Sequence, residues 1–249
     1  MPTIAITGAG SGIGRACALE YARRGWRVIA IDRDAAALAS LGADTSIVAD
    51  LADPAAIERL DLGPLDALLS NAGVAVVKPH ALTTDDDWRW LLDVNLLAPI
   101  RLVRALAPQL PHGSQVGFVA SLAGLVGAPG MVAYSTTKFA LVGFAEALRP
   151  ELAARGVGIT VICPGYVRTG LHRATRYANP AFERMLDDPP RWYGMAADAV
   201  AVRIADALAH RDAELVLGIE KLGWYLKRLA PPLARALTRW TARATGIVS

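Results

Sequence analysis

The chain has 249 residues, a net charge of +3, and 20% charged against 53% hydrophobic residues. That balance excludes a disordered segment and, without any block of like charges, a nucleic-acid-binding tail; the length suits one large α/β domain. Its two cysteines, Cys17 and Cys163, are too few for a disulfide framework and are expected as buried thiols of a reducing compartment.

The opening Met1-Pro2-Thr3-Ile4-Ala5-Ile6-Thr7 lacks the basic start and cleavable apolar stretch of a signal peptide, so the expected location is cytoplasmic. Short apolar or β-branched runs recur at Thr3–Thr7, Arg27–Ile31, Thr45–Ala49, Ala67–Ser70, Val116–Val119 and Gly158–Cys163. Such runs are strands buried on both faces. Helical patterns lie between them, clearest at Gly12–Arg24, Asp86–Leu110 and Ser135–Arg155. Alternating strands and helices predict a doubly wound parallel sheet of about seven strands with helices on both faces.

Directly after the first strand comes Thr7-Gly8-Ala9-Gly10-Ser11-Gly12-Ile13-Gly14, and a helix follows at once. Glycines there let the backbone approach a pyrophosphate held by free N–H groups at the helix start; the alternative is an ordinary tight turn. Asp32 stands at the end of the second strand, 18 residues after Gly14. Its carboxylate suits the adenosine ribose hydroxyls of NAD and repels the 2′-phosphate of NADP, whereas the adjacent Arg33 suits that phosphate; Asp32 as a helix cap is the bland alternative. Asp85, Asp86 and Asp87 precede an apolar helical pattern and are expected at a helix start.

The run from Gly113 to Thr137 has no Asp, Glu, Lys or Arg. Five glycines and Pro129 interrupt it, so a buried strand followed by a loop is expected rather than a membrane span. Ser121 ends that strand. Tyr134 follows 13 residues later, with Lys138 four further on, so the two side chains leave one helix face. A phenol titrates near 10. A nearby ammonium lowers that value, which would fit the tyrosine to remove an alcohol proton. A packed tyrosine beside a surface lysine, and a plain loop serine, are the alternatives.

These motifs, with Ser70-Asn71-Ala72-Gly73, Val94-Asn95 and Pro164-Gly165, resemble the short-chain dehydrogenase/reductase family across residues 1 to about 217. The resemblance implies a single-domain Rossmann fold with strand order 3-2-1-4-5-6-7 and a nicotinamide cofactor. It implies Tyr134 as acid/base and Lys138 as the group that lowers its pKa and binds the nicotinamide ribose. It also implies Ser121 as holder of the substrate oxygen and Asn95 as support for a water link to Lys138. Cofactor contacts carried over with it are Gly8, Ser11, Gly12, Ile13, Gly14, Asp32, Arg33, Asp50, Leu51, Asn71, Ala72, Gly73, Pro164, Gly165, Val167 and Thr169. The family pattern further implies a homodimer or homotetramer through the helices at Asp86–Leu110 and Ser135–Arg155. Ser70 departs from the asparagine that often opens the Asn-Asn-Ala-Gly motif.

Residues 166–195 form a flap rich in aromatic and basic residues, broken by Pro180, Pro189 and Pro190. Leu171, His172, Tyr177, Phe182, Met185, Trp192 and Tyr193 favour a hydrophobic alcohol or ketone as substrate. His80, His112, His172 and His210 show no metal-ligand grouping, and no metal is assigned. The tail 218–249 carries no acid after Glu220 and reads as one or two amphipathic basic helices broken at Pro231-Pro232. It packs over the cleft or a partner subunit, lies on an anionic membrane surface, or is simply solvated. The expected function is interconversion of a secondary alcohol and a ketone with NAD, or NADP as the alternative. A non-catalytic cofactor sensor and a membrane-associated protein acting through the tail are the competing classes.

Overall fold

The computed structural model describes residues 1–178 and 194–244. Phe182, Met185, Trp192, Tyr193 and the three flap prolines lie outside them. The central sheet has seven parallel strands in the order β3 (Thr45–Val48), β2 (Arg27–Asp32), β1 (Thr3–Thr7), β4 (Ala67–Ser70), β6 (Gln115–Val119), β7 (Gly158–Pro164) and β11 (Glu214–Leu217). Counted within this sheet alone, that is the expected 3-2-1-4-5-6-7. The register Thr3↔Arg27 through Thr7↔Ile31 aligns β1 with β2, and Ile4↔Ala67 aligns β1 with β4. The chain therefore reverses its winding next to β1, and the crevice where ligands bind in such sheets opens there.

Strand side chains alternate between two cores, because a strand points successive residues to opposite faces. Ala5, Ile29, Ile31, Leu68, Val116 and Phe118 enter one core, where Leu102, Leu106, Leu141 and Leu152 meet them from the helices α5 (Ala98–Leu106) and α6 (Val132–Ala153). Ile4, Ile6, Val28, Ala30, Leu69 and Ile162 enter the other, against α1 (Gly12–Arg23) and α7 (Ala197–His210). Both faces are covered, so the strands read as continuous apolar runs. Leu102 is fully buried, and truncating it to alanine should cost about 2–5 kcal/mol.

Among the described residues the remaining helices are α2 (Ala35–Ala39), α3 (Pro54–Glu58), α4 (Asp85–Leu92), α8 (Lys221–Leu229) and α9 (Pro231–Ala244). Thr84 caps α4, and Asp85, Asp86 and Asp87 fill its first turn as expected, with Asp87 closing a capping box on Thr84. The helix expected over Asp86–Leu110 is not continuous. A π-turn at Asp93–Leu97 separates α4 from α5, with the Ala98 N–H bonded to the Asp93 carbonyl five residues back. Pro99, which has no N–H to offer the Asn95 carbonyl, explains the widened register.

Two small sheets stand above the crevice. β5 (Ala75–Val77) pairs with β9 (Thr175–Tyr177), and β8 (Val167–Arg168) with β10 (Met195–Ala196). The charge-free run divides into β6, a 3-10 turn at Leu122–Gly124 and the start of α6. Among the described residues no helix is long and apolar enough to cross a membrane.

Candidate active site

The glycine-rich turn is a cradle with no room for side chains at its glycines. Gly8 and Gly12 have φ of +67° and +53°, and a Cβ on Gly14 would collide with the Gly8 carbonyl oxygen. Ser11 precedes α1 without a side-chain cap, and the first turn of α1 holds no acid. The positive end of this helix is thus left open to an anion. Thr169 approaches the same point, since a Cβ on Gly12 would lie 2.9 Å from the Thr169 Cβ. The turn is braced from behind by Thr7, whose buried hydroxyl accepts from the Asn71 and Ala72 N–H groups at 3.0 and 3.1 Å. The Asn71 side chain donates to the Thr7 carbonyl at 2.9 Å.

Asp32 reaches into this loop. One carboxylate oxygen accepts from Gly10 N–H at 2.8 Å and the other from Asp34 N–H at 3.0 Å. The helix cap is Asp34, which accepts from Ala37 N–H, so capping is not the task of Asp32. Arg33 is exposed, as is Asp50, whose carboxylate accepts from Ala52 N–H at 3.0 Å, while Leu51 is buried. These residues line the carboxyl ends of β2 and β3. Together the bare helix end, the glycine cradle and the carboxylate at the β2 end fit a dinucleotide.

On the far side of β1 the four expected site residues converge. Asn95 sits fully buried in the π-turn and clamps Val74: its amide oxygen accepts from Val74 N–H and its amide nitrogen donates to the Val74 carbonyl, both at 2.9 Å. The same nitrogen donates to Thr137 Oγ1 at 3.2 Å, and Thr137 in turn donates to the Tyr134 carbonyl at 2.9 Å. A Cβ on Gly73 would stand 3.4 Å from both Asn95 Oδ1 and Lys138 Nζ, so these two polar ends meet beside Gly73. Lys138 Nζ donates to the Val119 carbonyl at 3.0 Å and lies 5.8 Å from the Tyr134 ring centroid.

Tyr134 is buried, and burial raises its phenol above the ordinary value, while a hydrogen bond from Ser121 pulls the other way. Burial lowers Lys138 to about 8. Cys163, buried nearby in β7, is pushed up to about 12 by the same cause and stays a thiol. In the protein alone the Lys138 ammonium is bonded to the Val119 carbonyl.

The family model for short chain dehydrogenase matches residues 2–179. The chain belongs to the short-chain dehydrogenase/reductase family. It is 31% identical over 264 residues to Dehydrogenase/reductase SDR family member 7B of Bos taurus, covering 96% of this chain and 81% of that one. Among solved structures, a short-chain dehydrogenase/reductase from Burkholderia phymatum in complex with NAD superposes with a TM-score of 0.84 at 28% identity, covering 93% and 94% of the two chains. A short-chain dehydrogenase from Sphingobium yanoikuyae in complex with NADPH gives 0.76 at 26%, covering 94% and 95%. This short-chain dehydrogenase is thus an oxidoreductase with a nicotinamide cofactor.

Several residues of the dehydrogenase site carry weight beyond the sequence motifs. Thr7 and Thr137 are fully buried hydroxyls inside the motifs themselves, and a threonine closing an otherwise apolar strand was the available signal. Glu220 accepts from Tyr166 N–H at 3.3 Å and packs against Gly165, just after Pro164 at the end of β7. The first acid-to-base transition of the tail marks its position. Arg176 on β9 bonds Asp86 and Asp87 at 2.6 and 3.1 Å and stacks 4.3 Å over Trp90, while Lys78 reaches Asp87 at 2.7 Å. This cluster fastens the start of the flap to α4, and distance in sequence hides it. His172 is held by its own loop, with Nδ1 3.1 Å from the Thr169 carbonyl.

Proposed function

We propose that the chain interconverts a secondary alcohol and a ketone, with Tyr134 as the group that takes and returns the alcohol proton. The observation that carries this reading is the buried Tyr134 phenol, hydrogen-bonded by Ser121 and flanked by Lys138, next to a turn that fits a dinucleotide. When bound, a nicotinamide supplies the hydride acceptor or donor and, in its oxidised form, a positive charge. Ser121 holds the substrate oxygen against Tyr134 Oη. In the oxidative direction Tyr134 Oη removes the hydroxyl proton as hydride leaves the carbon, and in reduction it returns that proton to the carbonyl oxygen. Lys138 would hold the nicotinamide ribose when the cofactor is bound, and Asn95 keeps the Val74 backbone and the floor beside Lys138 in place. A buried phenol needs about 4 kcal/mol of differential stabilisation to fall three units. Two cations in a water-poor cleft supply energies of that size.

The Asp32 carboxylate favours NAD over NADP, because a 2′-phosphate would meet like charge. Gly8 through Gly14 with Asn71, Ala72 and Gly73 cradle the phosphates and the adjoining ribose. Arg33, Asp50 and Leu51 border the adenine end, and Pro164, Gly165, Val167 and Thr169 the carboxamide end. Leu171 and Tyr177 at the near end of the flap support a hydrophobic substrate. Residues 1–217 form the cofactor-binding domain, residues 218–249 its appendage, and the enzyme works in the cytoplasm as a homodimer or homotetramer through α4, α5 and α6.

Screening hydrophobic secondary alcohols and ketones with NAD and NADP, read by absorbance of the reduced nicotinamide, tests the reading. Turnover with NAD preferred supports it. Tight cofactor binding with no turnover on any member of the panel would instead assign the chain to cofactor sensing.

A further inference from the structure

We propose that the C-terminal helix pair docks on an anionic lipid surface. A helix packed at the edge of a globular domain ordinarily turns its apolar stripe inward. α9 does the reverse. Its half-covered positions are Ala234 and Thr238, and Thr238 borders a cavity of about 500 Å³ over Pro129, Val132 and Phe139. Leu233, Leu237 and Trp240 share one face at i, i+4 and i+7 and are 59%, 46% and 67% exposed. α8 repeats the arrangement, with Leu222, Tyr225 and Leu229 exposed while Gly223, Trp224 and Leu226 are partly covered.

Side-chain tethers hold the pair in this orientation. Lys227 Nζ donates to the Leu125 carbonyl at 2.7 Å and lies 4.8 Å from the Phe139 ring centroid, and Glu220 binds Tyr166 N–H where α8 begins. Both tethers attach at the carboxyl end of the sheet, to the loops that follow Ser121 and Pro164. The apolar face is therefore presented outward by a fixed mount.

Charge selects the occupant. Residues 221–249 hold Lys221, Lys227, Arg228, Arg235, Arg239 and Arg243 and no acid, which leaves the preceding 220 residues with 20 basic and 23 acidic side chains. Arg235, Arg239 and Arg243 form a separate exposed stripe of α9 at i, i+4 and i+8, and none forms an ion pair among the described residues. Tail-to-tail pairing of two copies would set these cations against one another. Elsewhere among the described residues Leu19, Val48 and Leu82 are exposed on separate elements, while Val132 and Phe139 share α6 and line the cavity beside Thr238. Acidic headgroups over an acyl layer answer both features, since arginines pair with the phosphates while Leu and Trp enter the interface.

The full-length chain, sedimented with phosphatidylcholine vesicles with and without phosphatidylserine, tests this directly. Binding should require phosphatidylserine and weaken with added salt. The triple substitution Arg235→Gln, Arg239→Gln, Arg243→Gln should lower partitioning about tenfold or more. Leu233→Ser, Leu237→Ser, Trp240→Ser should abolish it, both variants keeping the wild-type circular dichroism and melting temperature. Failure to bind phosphatidylserine vesicles, or equal binding to phosphatidylcholine alone, overturns the proposal. So does a wild-type oligomer that the Leu/Trp variant splits into smaller species without any vesicle binding, which would give the face to a second copy.

Discussion

Lys138 Nζ donates a 3.0 Å hydrogen bond to the Val119 carbonyl, at the end of the strand that delivers Ser121. The lysine is buried and its pKa is lowered from 10.5 to about 8, so its charge is held in the core at a cost. Below about 8 the folded and unfolded chains both carry the proton, and the full penalty applies. Between about 8 and 10.5 the unfolded chain binds more protons, so the penalty shrinks as pH rises.

Lys138→Met should accordingly stabilise the fold near neutral pH, by about 1–3 kcal/mol after the lost Val119 hydrogen bond is counted. The gain should dwindle as pH climbs from about 8 towards 10.5. Urea unfolding of both proteins across that range reads the effect, and a destabilised variant at pH 7 would contradict it. Turnover should be lost in the same variant, a stability gain set against function.

Asn95 carries both hydrogen bonds to Val74 from inside a π-turn. Asn95→Ala would leave a buried N–H and a buried carbonyl unpaired, at about 2–4 kcal/mol. The melting temperature should fall accordingly. An unchanged melting temperature would show that the clamp is dispensable.

Much of this was legible in advance because the signals are local. Apolar runs such as Ile4–Ile6 and Val28–Ile31 can only be buried on both sides, and the glycine turn needs its positive φ at Gly8 and Gly12. The π-turn escaped a periodicity reading because Asn95 and Pro99 fit a helical pattern by side chain, whereas the break lies in the backbone. The Arg176–Asp87 pairing joins positions 89 apart, and nothing in either neighbourhood announces it. The outward mounting of Leu233 and Trp240 was equally hidden. Amphipathicity says that a helix has two faces, not which one the body takes.

The Lys78–Asp87–Arg176 cluster should be felt in acid. Burial works against the Asp87 carboxylate, yet the hydrogen bonds from Lys78, Thr84 and Arg176 outweigh it and hold the group at about 2, below its usual 3.8. The folded chain then releases that proton more readily, so the stabilisation is present above about 4 and is lost as pH falls towards 2. Asp87→Asn should cost about 2 kcal/mol at neutral pH, with the difference from wild type fading across that window. Arg176→Ala should loosen the flap and raise KM about three- to tenfold with kcat less affected. A kcat loss at unchanged KM would place Arg176 elsewhere in the mechanism.

Asp32 holds the Gly10 N–H and the carboxyl end of β2 together. Asp32→Ala should weaken NAD binding more than NADP binding and narrow the preference about tenfold, the carboxylate no longer meeting the ribose hydroxyls or opposing a phosphate. Isothermal titration with each cofactor measures it. Equal losses for both would remove the carboxylate as the selector.

The most direct test is Tyr134→Phe, which deletes one hydroxyl and keeps the ring packed beside Lys138. Steady-state turnover should fall by at least about a hundredfold, the scale of losing a general acid/base, while the dissociation constant for NAD stays within about twofold because the ring contacts persist. Turnover close to wild type in that variant would show that the proton goes elsewhere, and the proposed chemistry of Tyr134 would be wrong.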